Sequence, residues 1–279
     1  MENEKLPLQI QQAIDEYAPV EKDGLTLWPV RVKEHELFRQ ARPALELLQQ
    51  SLPVRLLSMP LLQALYRMDL ELIASGLPPT GLFTSAVLGL VLALRLGEGQ
   101  DLETRLGMVT VRSEPDDPST LKELTMVLDG EELVRVTPRS YTKLRRIIAA
   151  QNGITLWSSE ADPELVEAER VMREKNAADL VPDLRKEIMA VSILTHTDRR
   201  EVLEWPLLRF TETADSVRHL LEYVICAINE GAGCTWKGGN PVPHPWFERS
   251  TGGSNGGLVE LSSLDRGNAE KAVAAQMRP

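Results

Sequence analysis

The stretch LKELTMVLDGEELVRVTPRSYTKLRRIIAAQNG, Leu121–Gly153, decides how the chain is read. It holds two β-rich runs, LKELTMVL and LVRV, joined through Asp129-Gly130, a pair that favours a tight hairpin turn. Thr137 then offers its hydroxyl as a helix N-cap, Pro138 suits the first helical position, and Asn152-Gly153 closes the helix. Upstream, MVTVR is a third β-rich run, set apart from LKELTMVL by the loop SEPDDPST. The middle of the chain therefore reads as a three-stranded meander, and so small a sheet needs the following helix on its face.

On both sides of this stretch the pattern is helical. Towards the N-terminus, LQIQQAIDEYA is a weak helix, Asp23-Gly24 a turn, and LTLWPVRV a short strand that Pro29 confines to an edge or end. Three helices follow, in HELFRQARPALELLQQ, PLLQALYRMDLELIAS and GLFTSAVLGLVLALRLG, separated by Ser51-Leu52-Pro53 and by Pro78-Pro79. In the second, Leu61, Leu62, Leu65, Met68 and Leu72 fall at core spacing.

Towards the C-terminus, Asp162-Pro163 opens a helix in ELVEAERVMREKNAA; LRKEIMAVSILTH, a short piece from Asp198 to Trp205 and a long segment from Pro206 to Glu230 follow. In the long segment Phe210, Val217, Leu220, Leu221, Val224 and Ile225 recur at helical spacing. The expected fold class is mainly α with a small antiparallel β-meander (α+β), helical N- and C-terminal parts flanking the β-rich middle. The expected divisions are 1–100, 104–153, 160–249 and a flexible polar tail over 250–279.

Composition narrows the function. With 279 residues, 43% hydrophobic and 26% charged, the chain has room for two or three folded domains. Aromatics at 5% and abundant leucine favour helices over a β-sandwich. A net charge of −10 repels phosphate, so neither nucleic acid nor an anionic membrane is an expected partner. Cys226 and Cys234 make no disulfide framework, and MENEKLPLQI is unlike a signal peptide, which suits a reducing, intracellular setting. The uncharged stretch Leu72–Leu94 is broken by its proline pair. LFTSAVLGLVLAL is too short for ~30 Å of hydrocarbon and reads as a buried central helix.

Each candidate for chemistry has a plainer reading. Gly252-Gly253-Ser254-Asn255-Gly256 matches G-x-S-x-G, but a nucleophile elbow needs an apolar strand before the serine, and here the flank is glycine-rich linker. Gly231-Ala232-Gly233 and Lys237-Gly238-Gly239 lack the order of a phosphate loop; a helix C-cap running into a turn explains them. Cys226, Cys234, His219 and His244 lack the close pairs of a zinc site, and Cys226 reads as a small core residue. Ser192, His196 and Asp198 lie at a helix end beside Arg199 and Arg200, where capping is the default. Glu131-Glu132 and Asp116-Asp117 are turn carboxylates with no apolar pocket to raise a pKa. The expectation is a protein with no catalytic residues, metal or cofactor.

An interaction signal remains. Trp236, Trp246 and Phe247 sit among Asn240, Pro241, Pro243 and Pro245, where aromatics either tuck back as anchors or form a contact patch, with tucking favoured. Trp28 carries the same two readings.

GLTLWPVRVKEHELF with the downstream QQSLP, RVTPRSY and IIAAQNGI, DPELVEAER, EVLEWPLLRF and KGGNPVPHPWF carry a resemblance across most of residues 24–249. In these the chain resembles the tail assembly chaperone-like proteins of tailed bacteriophages and prophages, encoded between the tail tube and tape measure proteins. The resemblance implies a protein that binds the aggregation-prone tape measure protein in the bacterial cytoplasm and helps the tail tube polymerise around it. The tail tube protein is then a further candidate partner. The family brings no catalytic residues. A structural component retained in the finished tail is the alternative, and a hydrolase using Ser254 with His244 a lesser one.

Overall fold

The computed structural model describes residues 6–128, 131–154 and 183–234, together with 156, 168 and 171. Helix α1 (Leu8–Asp15) leads into a hairpin of β1 (Val20–Lys22) and β2 (Leu25–Leu27). Asp23 (φ 52°) and Gly24 (φ 79°) are both left-handed, as a two-residue hairpin turn with the right twist requires. The strand expected over LTLWPVRV thus ends at Leu27, before Trp28-Pro29. Helices α2 (His35–Glu46), α3 (Leu61–Ala74), α4 (Leu82–Ala93) and α5 (Leu102–Gly107) follow.

Strands β3 (Val109–Glu114), β4 (Asp117–Leu128) and β5 (Glu131–Val136) make an antiparallel meander in that order. Helix α6 (Pro138–Gln151) closes on it, and α7 (Leu184–Thr195), α8 (Arg199–Glu204) and α9 (Leu207–Gly231) complete the described chain. The fold is mainly α with small antiparallel sheets.

Several elements follow directly from local chemistry. Thr137 and Ser140 form a reciprocal capping box at the start of α6, with Pro138 in the first turn. The Gly153 amide (φ 71°) donates to Ala150 O and the Ile154 amide to Ala149 O, so the helix ends in a Schellman motif. The loop expected over SEPDDPST is shorter than its sequence suggests, because Glu114 already pairs with Asp117. Register shifts around Ser113 disrupt the ladder there. Gln63 of α3 makes up the deficit, accepting from the Leu121 amide (2.6 Å) and donating to Ser119 O (2.9 Å). The sheet is therefore covered by α3 as well as by α6.

Residues Ala86 to Ala93 of α4 are all buried, as a helix apolar on every side must be. Among the described residues no helix is long and apolar enough to cross a membrane. Around α4 one core gathers Ile14, Leu27, Phe38, Leu62, Met126, Ile148 and Leu207. It runs without a break through the helical and β-rich parts that the sequence divides near residue 100. A second, smaller core joins Val32 to Ile188, Val191, Val202, Trp205 and Phe210. The first compact unit of the chain ends at Asp215, within α9, and a second begins at Ser216.

The segment from Leu27 to Arg31 is extended and largely buried, yet belongs to no sheet beyond Leu27, and Val32 opens a short 3₁₀ turn. Most of its backbone groups find partners outside any sheet. Gln151 donates to Leu27 O (3.0 Å), the Trp28 amide donates to Ala93 O (2.7 Å), and the Val30 amide donates to Asn152 Oδ1 (2.9 Å). On the other side the Val32 amide reaches Trp205 O (3.0 Å) and the Leu207 amide reaches Val30 O (2.7 Å). Just beyond, Glu34 enters a buried ion pair with Arg105 (2.9 Å), whose Nε also donates to Leu96 O (2.8 Å). Gly97 makes room for that guanidinium stem: at φ +58° it is left-handed, and a Cβ would lie 3.1 Å from Arg105 Cγ.

Asn152→Ala leaves the Val30 amide buried without its acceptor. It is expected to lower the unfolding free energy by about 1–3 kcal/mol, read from the urea midpoint; an unchanged midpoint would mean that α6 does not hold this segment. Arg105→Met strands the Glu34 carboxylate and is expected to cost about 3–5 kcal/mol. The double replacement Arg105→Met/Glu34→Leu should recover most of that loss in the same assay.

Candidate protein-interaction surface

The surface that stands out is apolar and helical. On α9 only Leu207 and Phe210 are buried among the described side chains. Leu220, Leu221, Val224, Ile225 and Ile228 lie in solvent, between 42% (Val224) and 65% (Ile228) exposed. The helical spacing of these residues is real, but among the described residues they belong to no buried core. Cys226 is likewise not a core residue; it is only partly covered. Periodicity shows which residues share a face, and it is silent on what covers that face.

The same is true of α7. Its Ile188 and Val191 reach the small core beside Trp205, whereas Met189, Ile193 and Leu194 are exposed. A helix this apolar on more than one side needs two partners, and the small core supplies one of them. That surplus is visible in LRKEIMAVSILTH and is the signal that could have found this patch from sequence. Methionine beside branched aliphatics gives a surface that adapts to different apolar shapes.

An ion-pair network ties the connection after Val30 to Glu98 and to α8, the helix that follows α7. Arg31 bonds Glu98 (2.7 Å) and Glu204 of α8 (2.6 Å), and Lys33 bonds the same two carboxylates at 3.1 and 2.8 Å. Burial pushes the Glu98 carboxyl up, but the Lys33 hydrogen bond and the Arg31 charge outweigh it and leave its pKa below the ordinary 4.5. Glu204 is also held below 4.5, chiefly by its hydrogen bond from Lys33. Beside this network Trp28 is half-buried, its ring carrying the Arg95 guanidinium 4.0 Å from the centroid. Trp205, which composition alone did not single out, is nearly buried and stacks in the same way under Arg209 at 4.1 Å.

The candidates for chemistry serve the helix ends. His196 is the left-handed C-cap of α7 (φ 53°). Ser192 Oγ donates to Thr197 O (2.6 Å), and Asp198 caps α8 by accepting from the Arg200 amide (2.7 Å). Hydrogen bonds from the Ser119 and Thr120 hydroxyls pull the Asp117 carboxyl below its usual range. Gly231-Ala232-Gly233 is a Schellman C-cap: Cys234 donates to Asn229 O and Gly233 (φ 94°) to Glu230 O. No three His, Cys, Asp or Glu side chains converge as a metal site among the described residues. Trp236, Asn240, Trp246, Phe247, His244 and Ser254 lie outside the described residues, as do KGGNPVPHPWF and, Ala168 apart, DPELVEAER.

Comparison of the chain with known protein families, with curated proteins and with solved structures finds no match.

Glu98 and Glu204 bind protons less readily in the folded chain than in the unfolded one, so the network's contribution is fully present above about pH 4.5 and fades as pH falls through the depressed values. Glu98→Gln/Glu204→Gln should therefore lower the melting temperature at pH 7 by more than it does at pH 3. Equal shifts at both pH values would mean that these charges do not act through their ionisation.

Proposed function

We propose that the chain is a tail assembly chaperone-type protein of a tailed bacteriophage or prophage, working in the cytoplasm of the bacterial host. It binds the tape measure protein and assists assembly of the tail tube. The observation that supports this most is the exposed apolar face of α7, Met189, Ile193 and Leu194, on a helix already anchored from behind by Ile188 and Val191.

A long amphipathic client presents apolar stripes that aggregate unless covered. A helix laid against an apolar face covers such a stripe, and each large side chain buried contributes roughly 1.5–3 kcal/mol before ordering costs. The holder must itself stay soluble, and a net charge of −10 keeps copies of the complex apart. Because the exposed positions lie on a helix whose other side is packed, the face is presented ready-made. Little ordering entropy is then lost on binding.

The test is co-expression with the neighbouring long helical open reading frame, followed by pull-down and a solubility assay. The long chain is expected to be soluble only with this protein bound. Met189→Asp/Ile193→Asp should cut capture at least tenfold, about 1.4 kcal/mol, without lowering the melting temperature, since both side chains are already in water. If the two chains neither associate nor alter each other's solubility, the proposal fails. Recovery of the protein in purified particles would then favour the retained structural component.

A further inference from the structure

In a chain of net charge −10, α6 contains no Asp or Glu from Pro138 to Gln151 and carries Arg139, Lys143, Arg145 and Arg146. Arg145 is turned to the carbonyls of Leu45 and Leu47. The other three stand at intervals of four and three, on one face of the helix. Like charges at that spacing repel, and Arg139 lies in the first turn, where the helix dipole disfavours a cation. On α2 and α3 the arginines meet carboxylates: Arg39 with Glu36, Arg42 with Glu46, and Arg67 with Glu71. Arg139 and Lys143 meet none among the described residues.

The row on α6, with Thr142, lines a cavity of about 510 Å³ whose far wall is the connection before α3, at Gln49 and from Ser58 to Pro60. No carboxylate lines it. The shape of that wall does not depend on the cations. Arg145 holds the start of the connection through Leu47 O (2.5 Å). Gln49 Nε2 clamps its end, donating to Leu57 O (2.9 Å) and Met59 O (2.8 Å). Folding gains nothing from Arg139 and Lys143 at these positions, whereas a ligand of opposite charge would.

We infer that this cavity binds a small polyphosphate, either inorganic or the phosphoryl chain of a nucleotide. Guanidinium and ammonium groups, with the hydroxyls of Ser58 and Thr142 as further donors, suit phosphoryl oxygens. From Arg139 to Arg146 the helix rises about 10 Å. That is more than one phosphate spans and within reach of a chain of two or three. The volume lies within the roughly 300–1,000 Å³ of small-molecule sites, which favours a compact anion over an extended acidic polypeptide. A compact anion also meets only the local positive field, since charges beyond about 10 Å are screened at moderate salt. A long polyanion such as nucleic acid would meet the acidic remainder of the chain.

The experiment is titration calorimetry of the full chain with inorganic tripolyphosphate and, separately, with ATP, both in EDTA and at low salt. Saturable one-site binding tighter than about 1 mM is expected, weakening several-fold as salt is raised. Arg139→Gln/Lys143→Gln should weaken it at least tenfold without lowering the melting temperature of the ligand-free chain, because both side chains are exposed. Arg199→Gln/Arg200→Gln removes the same charge from α8 and should leave the affinity unchanged. Equal affinity for the two probes assigns the cavity to the phosphoryl chain alone, and tighter binding of ATP assigns it to a nucleotide whose remainder meets Met59 and Pro60; either supports the inference. Failure of both probes to saturate overturns it, as does binding that the α6 pair leaves intact or that both pairs weaken alike. An oligo-glutamate peptide that binds where tripolyphosphate does not would give the cavity to an acidic polypeptide and also overturn it.

Discussion

A buried segment cannot leave its amides and carbonyls unpaired, and the rest of the first compact unit is arranged around meeting that demand for Leu27–Val32. Strands normally solve the problem by pairing with strands. Here Trp28-Pro29 ends the ladder after Leu27, because proline removes a donor, so partners must come from elsewhere. They come from the ends of helices, where backbone and side-chain groups are free to reach out: Ala93 at the end of α4, Gln151 and Asn152 at the end of α6, Trp205 just after α8 and Leu207 at the start of α9. The segment thereby fixes where three distant parts of the chain terminate.

Charge is used in the same region for a related purpose. Arg145 of α6 donates to Leu45 O and Leu47 O, supplying the last carbonyls of α2 with donors that the helix lacks. Burial pulls the Arg145 guanidinium pKa down. Arg31 and Lys33 lie on the connection immediately after Val30 and face Glu98 and Glu204, so the ion pairs reinforce the junction that the backbone bonds define. Among the described residues only the Glu34–Arg105 pair is buried on both sides; the outer pairs are partly exposed and screened, and each contributes little alone.

The exposed faces of α7 and α9 stand in contrast to this tightly satisfied interior. The chain pairs most backbone groups of a buried segment yet leaves Ile193 and Ile228 in water, and under the proposed function that kind of apolar surface is where a partner binds. The proposed client reading rests on simple physics: an amphipathic helix stays soluble as long as its polar side and the overall negative charge dominate.

Much of the architecture was legible in the sequence because it depends on short-range chemistry. Asp23-Gly24, Thr137-Pro138 and Asn152-Gly153 place turns and helix ends through local backbone preferences, and the all-apolar run of α4 could only be central. What the tertiary structure decided depends on contacts between residues far apart in the chain. Gln63 satisfying β4, Asn152 accepting from Val30, and Arg31 meeting Glu98 and Glu204 have no signature in spacing, since a polar side chain looks the same whether it faces water or a distant amide. The same limit explains α9. Its sequence determined that Leu221, Val224 and Ile228 share a face, and only the packing of the folded chain decided that this face stays open, because burial is a property of what comes alongside and not of the helix itself.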